Sequence, residues 1–190
     1  VYNSKIDTFN LFAGPGQNNY IISGTGAVAH THILGGDTNL IVNAPIGSPM
    51  SVDGGANLGL HYNGDPLVVG NVLFITGPSG KENFVISPGE IDGAGAPIYF
   101  TNFQTIVING EGGNDTYTIN GNTLNLIIND PLYNGSGDYS APTYGQVTGS
   151  STYTINGNSS MIELFASTGT NTVTLNGNAG TLDINDPARN

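Results

Sequence analysis

Apolar and polar residues alternate in short runs through most of this chain. Across residues 105–131 the runs read TIVI, NGEGGN, DTYTI, NGN, TLNLIIN and DP. Ile106 and Ile108 share a face, as do Tyr117 and Ile119, and then Leu124, Leu126 and Ile128. A period of two is that of a strand with one face buried. Gly and Asn fill the intervals, and both reach positive φ at little cost. No segment carries an apolar period of 3.6 long enough for a helix. The pattern predicts an all-β chain, with three strands and three turns in each unit of roughly 23 to 25 residues.

The unit recurs. Residues 1–24 align without a gap on residues 98–121, with Tyr2 on Tyr99, Thr8 on Thr105, Tyr20 on Tyr117 and Ile22 on Ile119. Residues 72–88 align on the same copy and place Phe84 and Ile86 where it has Tyr117 and Ile119. Residues 161–177 do so with Val173 and Leu175. The heptapeptide TYTINGN occurs at 116–122 and again at 152–158, and L-x-[IV]-N-[AD]-P occurs at 40–45, 126–131 and 182–187. A unit this short cannot bury its apolar face alone, so neighbours must stack. The expected fold is a parallel β-helix (β-solenoid) of about seven or eight coils, roughly 4.8 Å apart, with loop insertions. It spans 1–190 as one array of degenerate repeats, approximately 1–45, 46–97, 98–131 and 132–190. Residues 46–64 and 132–151 read as loops leaving one corner of the stack.

The alternative is an antiparallel β-sandwich. Asn-Gly between alternating strands is a strong hairpin signal, and it begins at Asn109, Asn120, Asn134, Asn156 and Asn176. The two architectures differ at Asn120, Asn156 and Asn176. In a solenoid these stack as a hydrogen-bonded ladder, and in hairpins they are separate turn residues.

Composition narrows the function classes. Fourteen acids face three Lys and Arg, for a formal net charge of -11. Nucleic-acid binding needs clustered cations, which are missing here, and an anionic membrane surface would repel the chain. There is no Cys, hence no disulfide and no thiol metal site. No apolar run approaches the ~18 residues of a membrane span. Gly, 29 of 190 residues, is about twice its usual ~7% share, as turn-rich β structure requires. An acidic, Lys-poor chain of this kind suits an extracellular or cell-surface location. Val1 falls on a repeat position matched by Ile98, so the expectation is a section of a longer array or one protomer of an assembly.

Several residue groups are candidates for chemistry. Glu111, Gly113, Asn114 and Asp115 lie in GEGGNDTYT (110–118). His30 and His32 share a strand face, with Asp37 as the nearest further metal ligand in sequence. Thr116/Thr118, Thr152/Thr154 and Thr172/Thr174 form Thr-x-Thr pairs whose hydroxyls point outward together. Tyr133, Asp138, Tyr139 and Tyr144 lie in one predicted loop, a combination that suits a glycan or other ligand. No Gly-x-Ser-x-Gly, Cys-His pair or phosphate loop is present, and basic groups to stabilise an anionic sugar are scattered. The chain therefore reads as a non-enzyme.

GEGGNDTYT resembles the nine-residue calcium repeat of RTX proteins, G-G-x-G-x-D-x-(apolar)-x. That resemblance implies a Ca²⁺ held at Glu111, Gly113, Asn114 and Asp115, with Tyr117 in the inward apolar place. The second Gly is replaced by Glu111, and the Asp115 place elsewhere is Asn18, Glu82 or Asn171. The wider run IYFTNFQTIVINGEGGNDTYTI, with LIIND and LDIND behind it, resembles the tandem repeats of large bacterial extracellular surface proteins, RTX-like and filamentous adhesin-like. The resemblance implies a structural repeat section of an extracellular fibre, surface layer or adhesin that associates head to tail with itself. A ligand- or glycan-binding adhesin module is the alternative. The Thr-x-Thr rows also resemble the flat face of ice-binding solenoids, and polysaccharide-active enzymes share the solenoid fold; these are the lesser alternatives.

Overall fold

The computed structural model describes residues 8–12, 17–23, 30–34, 37–43, 46–55, 71–77, 80–130, 149–166, 169–177 and 179–185. They hold strands and no helix. In chain order these are β1 (Thr8–Phe12), β2 (Gln17–Ile22), β3 (His30–Leu34), β4 (Asp37–Asn43), β5 (Met50–Asp53), β6 (Val72–Thr76) and β7 (Asn83–Ser87). There follow β8 (Glu90–Asp92), β9 (Ile98–Thr101), β10 (Thr105–Asn109), β11 (Thr116–Asn129), β12 (Thr152–Phe165), β13 (Thr172–Leu175) and β14 (Ala179–Asn185). Among the described residues only β7–β8 and β8–β9 pair antiparallel; every other pairing is parallel.

The strands line up in rows that share one core. One row runs β2, β4, β6, β10, the second half of β11, the second half of β12, and β14. A second runs β7, the first half of β11, the first half of β12, and β13. The strands β1, β3, β5 and β9 form a third parallel group, joined to β7 through the antiparallel β8. In β11 and β12 the register shifts between Asn120 and Asn125, where the chain turns from one row to the other. Gly121 (φ 58°) and Gly157 (φ 79°) occupy that corner, in a region open to Gly and costly for other residues. The turn brings Tyr117 and Ile119 into the same apolar cluster as Leu126 and Ile128.

Alternation decides which residues enter that cluster. In the first row Leu40, Leu73, Ile106, Leu126, Ile162 and Leu182 are successive cross-strand partners. All but Leu182 are fully buried. In the second row Phe84, Tyr117, Tyr153 and Val173 form the matching column. Its rings stack nearly parallel, with centroids 5.6 Å apart for Phe84–Tyr117 and 5.1 Å for Tyr117–Tyr153. Each such side chain, taken fully out of water, contributes on the order of 1.5–3 kcal/mol. The columns are therefore the main source of cohesion between strands far apart in sequence.

Polar ladders run beside the apolar columns. Asn156 donates to Asn120 Oδ1 and Asn176 to Asn156 Oδ1, both at 3.1 Å, with Ser87 hydroxyl as the next rung at 3.4 Å from the Asn120 amide. This is the ladder expected of stacked parallel strands. A buried counterpart links Asn129 to Asn109 Oδ1 at 2.9 Å. In each ladder the amide of one residue donates to the side-chain oxygen of the next, while the buried Asn129 Oδ1 meets no donor among the described residues.

Some expectations change. TIVI and TLNLIIN are not two strands of one unit. Thr105–Asn109 pairs in parallel with Asn125–Asn129, so they are successive strands of one row. Two rows with the same period-two alternation cannot be told apart from sequence alone. The Asn-Gly pairs at Asn120 and Asn156 do not make hairpins, because β11 and β12 run parallel through them, which counts against an antiparallel sandwich. Residues 8–12 and 17–22 do not stack as their alignment on 105–109 and 114–119 suggests. Tyr20 partners Leu40, in the column of Ile106 and not of Tyr117. Part of the predicted 46–64 loop is strand β5, paired with β3 and β9.

Candidate functional site

The turns that lead into β7, β11, β12 and β13 stack on one another and concentrate the polar chemistry of the chain. Each turn passes side-chain hydrogen bonds to the next. Asp115 Oδ1 accepts from the Glu82 backbone N–H at 2.9 Å, and Asp115 N–H donates to Ser151 Oγ at 3.1 Å. Ser151 N–H donates to Asn171 Oδ1 at 3.0 Å, and Asn114 Oδ1 accepts from Ser150 N–H at 2.8 Å. Glycine permits this closeness: a Cβ on Gly113 would overlap the Gly80 carbonyl, and one on Gly149 the Gly113 carbonyl.

Beneath these turns lies a cluster of buried acids and phenols. Asp115, Asp130, Ser151 and Glu82 are buried, together with the hydroxyl ends of Tyr117 and Tyr153. The Tyr117 hydroxyl is 3.0 Å from Asp130 Oδ1 and 3.4 Å from Asp115 Oδ2, and Ser151 Oγ donates to Asp130 Oδ2 at 2.9 Å. Gly110 leaves the space for the Tyr117 hydroxyl. Lys81, beside Glu82 in sequence, is exposed. Burial out of water favours the protonated form of a carboxyl. Burial, chiefly, pushes the Asp115 carboxyl up to about 8, with Asp130 and Glu82 adding to the rise. Burial also raises Glu82 and Glu111, and moves both Tyr117 and Tyr153 up. The rise favours the protonated form of Asp115, in which the carboxyl can donate as well as accept.

The four residues of the calcium-like turn are close in space but differently engaged. Asn114 and Asp115 offer their oxygens to N–H groups of neighbouring turns, Gly113 is pressed against Gly80, and Glu111 holds a left-handed backbone at φ 60°. Asn114 Oδ1 and Asp115 Oδ1 each already accept an N–H, so a calcium ion at this turn would compete with those bonds. Among the described residues no three His, Cys, Asp or Glu side chains gather in a metal-binding group. Millimolar Ca²⁺ is therefore expected to leave the melting temperature of EDTA-treated protein unchanged to within about 1 °C, since a ligand stabilises only what it binds. A rise of several degrees in differential scanning calorimetry would show that Ca²⁺ binds and support the turn as its site.

The other candidates are distributed as follows. Tyr133, Asp138, Tyr139 and Tyr144 lie outside the described residues. His32 is exposed on β3, where it partners Asn10 and Ser51, and His30 partners Thr8. Asp37 begins β4, in a different row. The Thr-x-Thr pairs do fall in register, Thr116 with Thr152 and Thr172, and Thr118 with Thr154 and Thr174. The row gives way at β7 to Asn83 and Val85.

Sequence reasoning singled out Asp115 but not its partners Asp130 and Ser151. Asp130 stands in the repeated N-[AD]-P motif at a place where Ala44 and Asp186 stand in the other copies, which was the available signal. It also missed a trough of about 430 Å³ on the outer face of β1, β3, β5 and β9. Two registered lines of side chains cross it: Asn10, His32, Ser51 and Tyr99, and beside them Phe12, Leu34, Asp53 and Thr101. Asp53 Oδ1 is held at 2.8 Å by both Gly55 N–H and the Asn102 amide, the latter on a residue at φ 59°. No protein-family model, curated protein or solved structure matches the chain.

Proposed function

We propose that this chain is a section of a β-solenoid that serves as a structural repeat region of an extracellular fibre, surface layer or adhesin, and that its layers continue head to tail onto further layers. The observation that carries this reading is the unbroken parallel register of the column from Leu40 to Leu182. Stacked layers joined by backbone hydrogen bonds, apolar columns and Asn ladders resist extension along the stack. Such an arrangement contributes stiffness and needs no catalytic group. In the final described strands, Leu175 and Ile184 are 50% and 44% exposed, while their column neighbours Ile155 and Leu164 are fully buried. A further layer, from the same polypeptide or from a second copy, would bury them as the preceding layers are buried.

The surface-exposed location rests on the acidic, Lys-poor composition and on the likeness to bacterial surface-protein repeats. Negative-stain electron microscopy of the purified chain, in EDTA and in millimolar Ca²⁺, tests the proposal. End-to-end rods or filaments are the expected result in both buffers. Short single particles in both, at high concentration, would remove self-association and leave a ligand-binding section as the better reading.

A further inference from the structure

The two ends of the described stack are edges that match each other. Among the described residues β1 pairs only with β3, β2 only with β4, and β13 and β14 only with β12. Each of these four strands therefore has an outer edge without a strand partner among the described residues. Sheet edges are ordinarily blunted by Lys, other charged groups or Pro. These strands read TFNLF, QNNYII, TVTL and AGTLDIN, with no Lys, Arg or Pro and with Asp183 as their one charged residue. Of the six large apolar side chains exposed among the described residues, four stand on them, one to a strand: Phe12, Ile21, Leu175 and Ile184. Exposed apolar groups concentrated in this way mark surfaces of association.

Strand direction, side-chain column and hydrogen-bond phase all agree between the two ends. Among the described strands only β8 runs against the rest, so β1 is parallel to β13 and β2 to β14. The inward column that ends at Leu175 runs back through Ile155, Ile119 and Ile98 to Phe9. The column that ends at Ile184 runs back through Leu164, Ile128 and Val42 to Ile22. Phe9 and Ile22 of another copy, placed over Leu175 and Ile184, extend both columns at once with no change of register in either sheet.

The backbone fits in the same placement. Successive residues of a strand turn their N–H and C=O groups to opposite sides. Thr172 and Asn176 donate their N–H groups to the Ser151 and Ile155 carbonyls, on the β12 side. The groups of Val173 and Leu175 then face the outer edge. In the row of β1 the inward residues face the later strand: Met50 N–H donates to the Pro97 carbonyl and Phe100 N–H to that of Gly89. On β1 the same alternation turns Phe9 and Leu11 toward β3, and Thr8 and Asn10 toward the outer edge, where they meet Val173 and Leu175. The Asn ladder continues as well. The Asn176 amide donates to Asn156, so its Oδ1 is the acceptor for one more rung. The line of that ladder passes through Ser87 and Tyr99 to Asn10, which in a second copy carries the matching amide.

We propose that the partner of each end is a second copy of this chain, with its β1 on β13 and its β2 on β14, Thr8 opposite Thr174 and Ile22 opposite Ile184. The proposal rests on the structural reading above and specifies which surfaces meet and in what register. The contact is heterologous, so each addition leaves one edge of either kind open for the next. A net charge of -11 opposes association at low ionic strength, and about 0.15 M salt screens it.

Two single-cysteine chains test the junction at that salt concentration, since the parent has no Cys. Thr8→Cys and Thr174→Cys both stand at exposed positions. Partner strands about 4.8 Å apart lie within the reach of a disulfide. Mixed in equal amounts and mildly oxidised, the two chains are expected to form covalent dimers on non-reducing gels at least about tenfold faster than either chain alone. Asn10→Cys, about 6.6 Å further along β1, should not cross-link to Thr174→Cys. Circular dichroism of all three variants should match the parent. Dimers formed as fast by one variant alone, or equal cross-linking from Asn10→Cys, would overturn the proposed register. Rods in electron micrographs without cross-linking in the mixture would also overturn this junction and leave head-to-tail assembly through other surfaces. Neither rods nor cross-links would remove both.

Discussion

Replacing Gly113 with valine is expected to lower stability by about 3–5 kcal/mol. Two costs combine. The backbone there has φ 142°, which L side chains rarely adopt, and a Cβ would overlap the Gly80 carbonyl in the adjoining turn. Strain of the first kind costs on the order of 1–3 kcal/mol, and forcing atoms into packed space costs a similar amount. The turn cannot simply retreat. Gly149 lies against Gly113 on its other side, and Gly169 against Gly149, so a displacement is passed along the whole column. Against a total stability of about 5–15 kcal/mol, the loss should appear as a melting point lower by roughly 10 °C. Urea unfolding followed by circular dichroism measures it. A variant as stable as the parent would mean that the turns are not stacked as described.

Stability is also expected to fall as pH rises from about 4 to about 8, and Asp115→Asn is expected to remove much of that slope. In the folded chain Asp115 keeps its proton up to about 8, chiefly because it is buried, against an ordinary value of 3.8. Between those values the folded chain binds a proton that the unfolded chain has released. The contribution is therefore complete below pH 4 and is lost as pH rises through 8. Glu82, also raised by burial, acts in the same direction. For a carboxyl this deeply buried, the effect is on the order of a few kcal/mol. Asparagine keeps an acceptor for the Glu82 N–H and supplies a donor without a charge to bury. It should match the parent near pH 4 and exceed it near pH 8. Urea midpoints at pH 4, 6 and 8 for both proteins decide this. A parent that gains stability over the range, or an Asn variant with the same slope, would show that the cluster does not hold its proton.

Much of the stack was legible in the sequence where identical residues recur at equivalent places. The TYTINGN copies at 116–122 and 152–158 lie side by side, Tyr117 on Tyr153 and Asn120 on Asn156. The three L-x-[IV]-N-[AD]-P copies place Leu40, Leu126 and Leu182 in one column. The 72–88 and 161–177 copies are also in register with 105–121. The longest alignment, 1–24 on 98–121, misled for a physical reason. Alternation and Gly-Asn turns are common to every row, so any two consecutive strands resemble any other two. Only the pairing of β2 with β4 shows which row Tyr20 occupies. The short β8 was invisible because three residues of mixed character carry no periodic signal.

The candidate sites were legible to a lesser degree. The resemblance of GEGGNDTYT to a calcium repeat located the polar turn, but not the N–H groups of adjacent turns that Asn114 Oδ1 and Asp115 Oδ1 accept from. Those partners depend on what stacks above and below, and a single repeat does not contain them. The trough depends on four strands drawn from residues 8–101, among them β5, which lies inside a stretch that reads as a loop.

The parallel, in-register stack is tested most directly by a disulfide. The chain has no Cys, so Thr118→Cys with Thr154→Cys introduces the only two thiols, at positions that partner each other on the outer face of β11 and β12. Neighbouring strands are about 4.8 Å apart, within the Cα separations of about 4.4–6.8 Å that a disulfide spans. Rapid loss of both thiols under mild oxidation, within a monomeric species that keeps the parent's circular dichroism, is the predicted result. The pair Thr118→Cys with Thr174→Cys, two strands apart, should stay reduced. Free thiols in the first pair, or equal cross-linking in both, would contradict the register on which the whole account rests.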